Sequence, residues 1–425
     1  MLIDFNEVYA FLKQHGKVPR GVLHVGAHEC EEKETYNKHG IQDKNIIWVD
    51  GNEDLVKKIK ERGIPNAYHA LVDEIERDVT FYITNNGQSS SILEMGTHAT
   101  MYPTIQVVEK RPARTTTLKA LQAKESIDFS NLNFWNFDIQ GVELQALKGA
   151  GDLLRFADAL YLEVNTDDVY KNCSKLPEVD SFLEQNGFSR AAISIYRNDR
   201  PEPDGWGDAL YIRMKKTEGV LFDIGANRGL YTDKNRYKYE KCILVDANPE
   251  LTSGLREKYK YDKGIEVIEA IVSNKESETF YIANSDQIST ADPEWISQSR
   301  FSKSARWSPL KGIPTISVDK LISLYGVPAF LKIDVEGYEY NVLLSLTQKV
   351  PALAFEWAEE KKSEILLTME HLHKLGFTKF HIQMEDEYSY QVEDSEWYDY
   401  SIAYKLLQSI CDKDRKQRWG MIWAL

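Results

Sequence analysis

Two aspartates close apolar runs in closely matching surroundings: Asp138 in FWNFDIQGVELQAL and Asp334 in FLKIDVEGYEYNVL. Two glutamates repeat the pattern, Glu163 in LYLEVN and Glu356 in LAFEWA. A carboxylate at the tip of a strand can accept a hydroxyl proton or anchor an acceptor, the work of a general base. Upstream of each pair an apolar run ends in a glycine turn: GVLHVGAHEC with Gly26, Ala27 and His28, and GVLFDIGANRG with Asp223, Gly225, Ala226, Asn227 and Gly229. Glycine tolerates positive φ and lets the backbone approach a ligand. A second apolar run then ends in an acid, Asp50 in IIWVD and Asp246 in CILVD. An acid at the tip of the second strand holds ribose hydroxyls in nucleotide-type α/β folds.

Each feature has a structural competitor. Asp138 and Asp334 could cap the helix that follows. Glu163 and Glu356 could form ion pairs. His28, His69 and His98 read as surface or satisfied core residues, with His28 the most interesting for its place in the turn. Ser89 to Ser91 read as an ordinary loop or as cofactor or acceptor lining. Cys30 has no adjacent cation to lower its pKa and so reads as an unreactive thiol.

The elements that must position these groups occur twice. Beyond the turns and acids, FYITNNGQSSS answers FYIANSDQIST, TTTLKAL answers TISVDKL, and EQNGF answers HKLGF. Gly26 and Gly225 lie 199 residues apart, and Asp138 and Asp334 lie 196 apart. That period is too long for a solenoid and marks a tandem duplication of a whole domain. The first domain spans 1–214 and begins with a short amphipathic helix carrying Phe5, Val8, Tyr9, Phe11 and Leu12. The second spans 219–425, with an acidic, aromatic insertion near 385–417 that reads as a solvated face or as rings for stacking on sugars. Its probable helix is expected over 402–413. The linker is too short for a flexible tether, so the sequence predicts close contact between the domains. Alternating strand and helix patterns predict a parallel sheet with right-handed crossovers. In the first domain a third strand is expected over 67–72 and a long polar loop over 85–114.

The chain has 425 residues, 42% hydrophobic and 28% charged, as expected of a globular protein. No apolar run reaches the roughly 20 residues that span a bilayer, and the N-terminus lacks a signal-peptide pattern. Cys30, Cys173, Cys242 and Cys411 have no metal-type spacing, so no metal site and a reducing, cytoplasmic setting are expected. A net charge of −14 disfavours a nucleic-acid acceptor.

GVLFDIGANRG, LVDANPE and FLKIDVEGYE resemble the FkbM-type branch of class I S-adenosylmethionine-dependent methyltransferases, and HVGAHECEE with FWNFDIQGVELQALKG resembles a divergent variant. The resemblance implies two tandem Rossmann-like α/β domains, each a mostly parallel seven-stranded sheet with a reversed last strand. It implies S-adenosyl-L-methionine as cofactor and methyl transfer to oxygen on a sugar, glycan or small-molecule scaffold. Gly225, Ala226, Asn227 and Gly229 would lie under the methionine part, with Asp223 on its ammonium and Asp246 on the ribose. Gly26, Ala27, His28 and Asp50 are the matching positions, although His24 replaces Asp223 and Cys30 replaces Gly229. The expected function is a bifunctional O-methyltransferase. The alternative keeps methyl transfer in the second copy and makes the first a glycosyltransferase or a non-catalytic acceptor-binding domain.

Overall fold

A computed structural model describes residues 1–196, 205–214, 217–260, 262–388, 390, 392–412 and 418–425. The chain divides into two compact units, Met1–Lys215 and Lys216–Leu425. Among the described residues no helix is long and apolar enough to cross a membrane.

Unit 1 opens with the helix Phe5–Gln14, capped by the Asp4 side chain. Phe5, Val8 and Leu12 fall on one face at helical spacing and are buried. The Phe5 ring meets Tyr36 and Phe134 edge-on at 5.0 and 5.3 Å. The main sheet is built from β1 (Val22–Val25), β2 (Ile46–Asp50), β3 (Ala67–His69), β4 (Phe134–Phe137), β5 (Ala159–Asn165), β6 (Phe188–Ile195) and β7 (Trp206–Arg213). Its order is β3-β2-β1-β4-β5-β7-β6. Strands β1 to β5 are parallel, and β7 runs antiparallel to both its neighbours. All residues of β1, β2, β4 and β5 are buried, which is why they read as continuous apolar runs rather than alternating ones. The turn between β6 and β7 falls at residues 197–204, outside the described residues.

Two sequence expectations change here. The third strand stops at His69; Leu71–Val72 instead pairs with Thr115–Thr116 in a separate small sheet. The expected loop over 85–114 contains a short helix, His98–Met101, and most of a ten-residue strand, Val107–Thr116, antiparallel to Asp78–Thr84. That strand carries Glu109, Lys110, Arg111 and Pro112 largely towards solvent, so it lacks the apolar alternation that would announce it.

Unit 2 repeats the plan with β8 (Thr217–Ile224), β9 (Tyr239–Asp246), β10 (Ile265–Glu269), β11 (Pro328–Ile333), β12 (Leu353–Ala358), β13 (Lys379–Met384) and β14 (Trp419–Ala424). The order is β10-β9-β8-β11-β12-β14-β13, with Tyr398–Asp399 added at the β13 edge. Within 385–417 the helix runs Tyr400–Cys411 and buries Ala403 and Leu407; Ser389, Gln391 and 413–417 lie outside the described residues. In both units the strand order reverses beside the first strand, which opens a crevice between the carboxyl ends of β1 and β4, and of β8 and β11.

Candidate active site

The glycine turns are dictated first by backbone packing. Gly26 and Gly225 have φ of +89° and +73°, and a Cβ at either would stand 1.8 or 1.7 Å from the carbonyl oxygen of Asp138 or Asp334. No side chain fits where the two strand ends converge. Two residues on, the backbone N–H of His28 donates to Asp50 Oδ2 and that of Asn227 to Asp246 Oδ2, both at 2.8 Å. The other oxygens accept from Asn52 N at 2.7 Å and Asn248 N at 2.8 Å. Each acid therefore ties the first turn to the second. Burial raises both carboxyl pKa values, opposed by these N–H bonds. Asp50 and Asp246 line cavities in their units.

Asp223 does something other than reach a ligand. It is fully buried, accepts from Thr232 Oγ1 at 2.7 Å and lies 3.3 Å from Lys332 Nζ. It does not itself line the cavity, where it was expected to meet the cofactor ammonium, and stands behind Lys332 instead. Lys332 in turn lies 3.4 Å from Asp334 and donates to Gly225 O at 3.1 Å. Burial alone would lower the Lys332 pKa, but Asp223 and Asp334 hold it above its usual value. Unit 1 replaces this ion pair with a neutral chain: Asn136 Nδ2 donates to Tyr36 Oη at 3.0 Å, which lies 3.2 Å from His24 Nδ1. Burial holds the His24 pKa below the usual value.

Gly229, expected under the cofactor, also has a packing role. A Cβ there would fall 2.4 Å from the Tyr259 hydroxyl, so its glycine serves helix packing and not the cavity. Ala27 is buried and lines neither unit 1 cavity, whereas Ala226 lines that of unit 2. Cys30, at the position matching Gly229, is buried, which pushes its thiol pKa up to about 12. His28 Nδ1 meets Glu31 Oε1 at 2.6 Å, a bond that raises its pKa.

The four expected acids come together in pairs. Asp138 and Glu163 are bridged by Gln140 Nε2 at 2.5 and 2.7 Å. In unit 2 the bridging position is Glu336, so Asp334, Glu336 and Glu356 place carboxylate oxygens within 4.8 Å of one another, a group that could hold a cation. Gln140 and Glu336 share a left-handed backbone, φ +59° and +55°. Burial and the neighbouring carboxylates push the Glu163, Glu336 and Glu356 pKa values well up.

Sequence reasoning passed over Glu143 and Glu339. Their carboxylates accept from the N–H groups of Ile139 and Gly141, and of Val335 and Gly337, which shapes the loops that carry the acids. Burial lifts both pKa values to about 7. A glutamate five residues after each aspartate was the available signal. Also passed over was Arg300, paired with Glu360 at 2.8 and 2.7 Å at the unit 2 cavity.

The cavities differ. Unit 2 has one of about 510 Å³, running from Ala226 and Asp246 past Ile271 and Trp295 to Asp334 and Glu356. Unit 1 has about 60 Å³ beside Asp50, Ser90 and Ser91, and about 430 Å³ beside Glu163, Ser89 and His98, the two adjoining at Gly26, His28, Gln88 and Asp138.

A doubly wound sheet with a reversed strand, a glycine turn and an acid closing the second strand is the arrangement expected of a class I, S-adenosylmethionine-dependent methyltransferase. The methyltransferase FkbM domain family matches residues 24–190 and 223–384, and the chain belongs to that family. Its cofactor is S-adenosyl-L-methionine, and the cavity and acid of unit 2 suit a ligand of that size and polarity. No curated protein matches. Among solved structures, an FkbM methyltransferase from Methylobacillus flagellatus KT is 13% identical over 49% of this chain and 44% of its own, with a TM-score of 0.28. The match thus spans under half of that protein. Magnesium protoporphyrin IX methyltransferase from Synechocystis PCC 6803 with bound SAM is 15% identical over 49% and 77%, TM-score 0.26. WbdD is 14% identical over 50% and 39%, TM-score 0.28.

Proposed function

We propose that unit 2, residues 219–425, transfers a methyl group to a hydroxyl oxygen of a sugar, glycan or glycosylated small molecule, and that unit 1, residues 1–214, binds an acceptor. One contrast carries this reading: about 510 Å³ runs in one cavity from Asp246 to Glu356, but only about 60 Å³ lies beside Asp50, with the other 430 Å³ of unit 1 beside Glu163. The first lies in the roughly 300–1,000 Å³ range of small-molecule sites; the second holds a few waters. Gly225, Ala226 and Asn227 would lie under the methionine part of the cofactor, and Asp246 would take the ribose hydroxyls. When bound, the cofactor supplies an electrophilic methyl group on sulfur. Asp334 and Glu356 face the cavity from neighbouring strand ends; Asp334 would orient the acceptor hydroxyl and take its proton, and Glu356, whose pKa is raised by burial and by Glu336 and Asp334, would hold the hydroxyl by a hydrogen bond. Trp295 and Tyr388 wall the cavity and keep water from the reacting atoms. The net charge favours a small acceptor over a nucleic acid, and four unpaired cysteines suit a reducing, cytoplasmic setting.

A second reading, methyl transfer in both units, draws on the matched bonds from the His28 and Asn227 N–H groups to Asp50 and Asp246. Calorimetric titration with S-adenosylmethionine separates the two. One binding event, lost in Asp246→Ala and kept in Asp50→Ala, supports a single transferase unit. Two events, each lost with its own aspartate, support the second reading. Absence of binding to the intact chain rejects both.

A further inference from the structure

The 430 Å³ cavity of unit 1 has a composition that methyl transfer in unit 2 does not use. Carboxylates enter it from several elements: Glu31 after the first turn, Asp138 past β4, Glu163 on β5 and Asp208 on β7. Among the described residues no lysine or arginine lines it, whereas Arg228, Arg300 and Lys332 line the unit 2 cavity. Asp208 is satisfied by the Tyr161 hydroxyl and the Leu2 N–H. Glu163 is bound less fully: it is 6% exposed, its Oε2 accepts from Gln140, and its carboxyl is hydrogen-bonded to that of Asp138. Asp138 accepts from the same amide and shares the bond with Glu163.

The walls are aromatic. Trp206 stacks on Tyr196 with centroids 4.6 Å apart and planes at 19°. Tyr170 donates to Gln140 Oε1 at 2.5 Å and lies 5.4 Å from the His98 ring. His98 is also 6% exposed; its Nδ1 has no partner, and burial lowers its pKa, so the ring is neutral and able to accept a hydrogen bond. Asn86 and Ser89 add neutral polar groups at the edge.

Two hydrogen-bonded carboxyls beside a cavity with no lysine or arginine call for positive charge, since an ammonium can take the place of the proton they share and an anion would be repelled. Aromatic faces attract cations and carry flat ligands. We propose that this cavity binds a small polyol bearing a protonated amine, an amino sugar, with its ammonium group between Asp138 and Glu163 and its ring against Trp206 and Tyr196. This rests on the acceptor-binding reading of unit 1, and its test needs no cofactor, so it can fail independently of methyl transfer.

The test is calorimetric titration of the full chain with D-glucosamine, D-glucose and N-acetylglucosamine. The expected result is glucosamine binding at least tenfold tighter than either neutral sugar, weakened at least tenfold by Glu163→Gln and unchanged by Glu370→Gln, on the helix Lys362–Lys374 and lining neither large cavity. Asp138→Asn, at an exposed position, carries the same expectation should Glu163→Gln not fold. Equal affinity for the three sugars, no glucosamine binding at millimolar concentration, or full affinity in Asp138→Asn would overturn the proposal. Displacement of glucosamine by S-adenosylhomocysteine would assign the carboxylates to the cofactor's own ammonium, and would overturn it too.

Discussion

Lys332 is almost wholly buried between Asp223 and Asp334. Removing one partner of a buried ion pair costs about 3–5 kcal/mol, because the other charge is left without compensation. Lys332→Met should therefore lower the thermal midpoint of unit 2 sharply, while the matching Asn136→Ala in unit 1 costs a hydrogen bond only; calorimetric unfolding measures both. Glu356 behaves in the opposite sense. Its folded pKa is raised by burial and by Glu336 and Asp334, whereas an unfolded glutamate titrates near about 4.3. Below that value both states hold the proton; as pH rises above it the unfolded chain releases its proton first, and stability falls towards the folded pKa. Glu356→Gln should flatten this loss, so that its gain in midpoint over the parent is larger at pH 8 than at pH 5. A smaller gain at pH 8 would count against the protonated glutamate. The acids themselves were legible because each closes an apolar run in both copies. Lys332 was visible only as a neighbour of Asp334. Its pairing with Asp223 depends on β8 and β11 lying side by side in register, which the chain order does not announce.

At the scale of elements, the junction of β8 with the loop after β11 sets the site. A side chain at Gly225 would collide with the Asp334 backbone at 1.7 Å, so Gly225→Ala should prevent unit 2 from reaching its native fold or displace the Asp334 loop; loss of S-adenosylmethionine binding with a lowered midpoint would show it. Gly254 is the contrast. It sits inside the helix Pro249–Lys258 with open space around its missing side chain. Gly254→Ala should stabilise unit 2 by about 0.5–1 kcal/mol, the usual helical preference of alanine over glycine; a lower midpoint would contradict that. The sheets were legible from their buried apolar runs. The strand Val107–Thr116 was not, because a ribbon with one face in water satisfies its backbone without an apolar pattern. The loops around Asp138 and Asp334 were half legible: the glycines stand out, but the carboxylates of Glu143 and Glu339 that gather the loop N–H groups look in the sequence like ordinary helix-start acids.

For the whole molecule, two compact units of one plan predict two heat-absorption peaks in calorimetry. Saturating S-adenosylmethionine should move only the peak that Lys332→Met also moves, by about 2.7 kcal/mol of stability at a hundred times its dissociation constant. Movement of both peaks would mark two cofactor sites. The duplication was legible as repeated words; the unequal cavities were not, because volume depends on how side chains fill shared backbone. The exchange of Asp223 and Lys332 for His24 and Asn136 has a historical consequence. Each pair consists of direct cross-strand neighbours, Asp223 opposite Lys332 and His24 opposite Asn136. An intermediate with the aspartate beside asparagine holds a lone buried charge, whereas one with the lysine beside histidine keeps the partner at the Asp334 position. The order of the two changes therefore matters: the copies part company more easily through the lysine–histidine chain, and a chimera that swaps β1 for β8 without also swapping β4 for β11 would set Asp223 beside Asn136 and inherit the lone carboxylate.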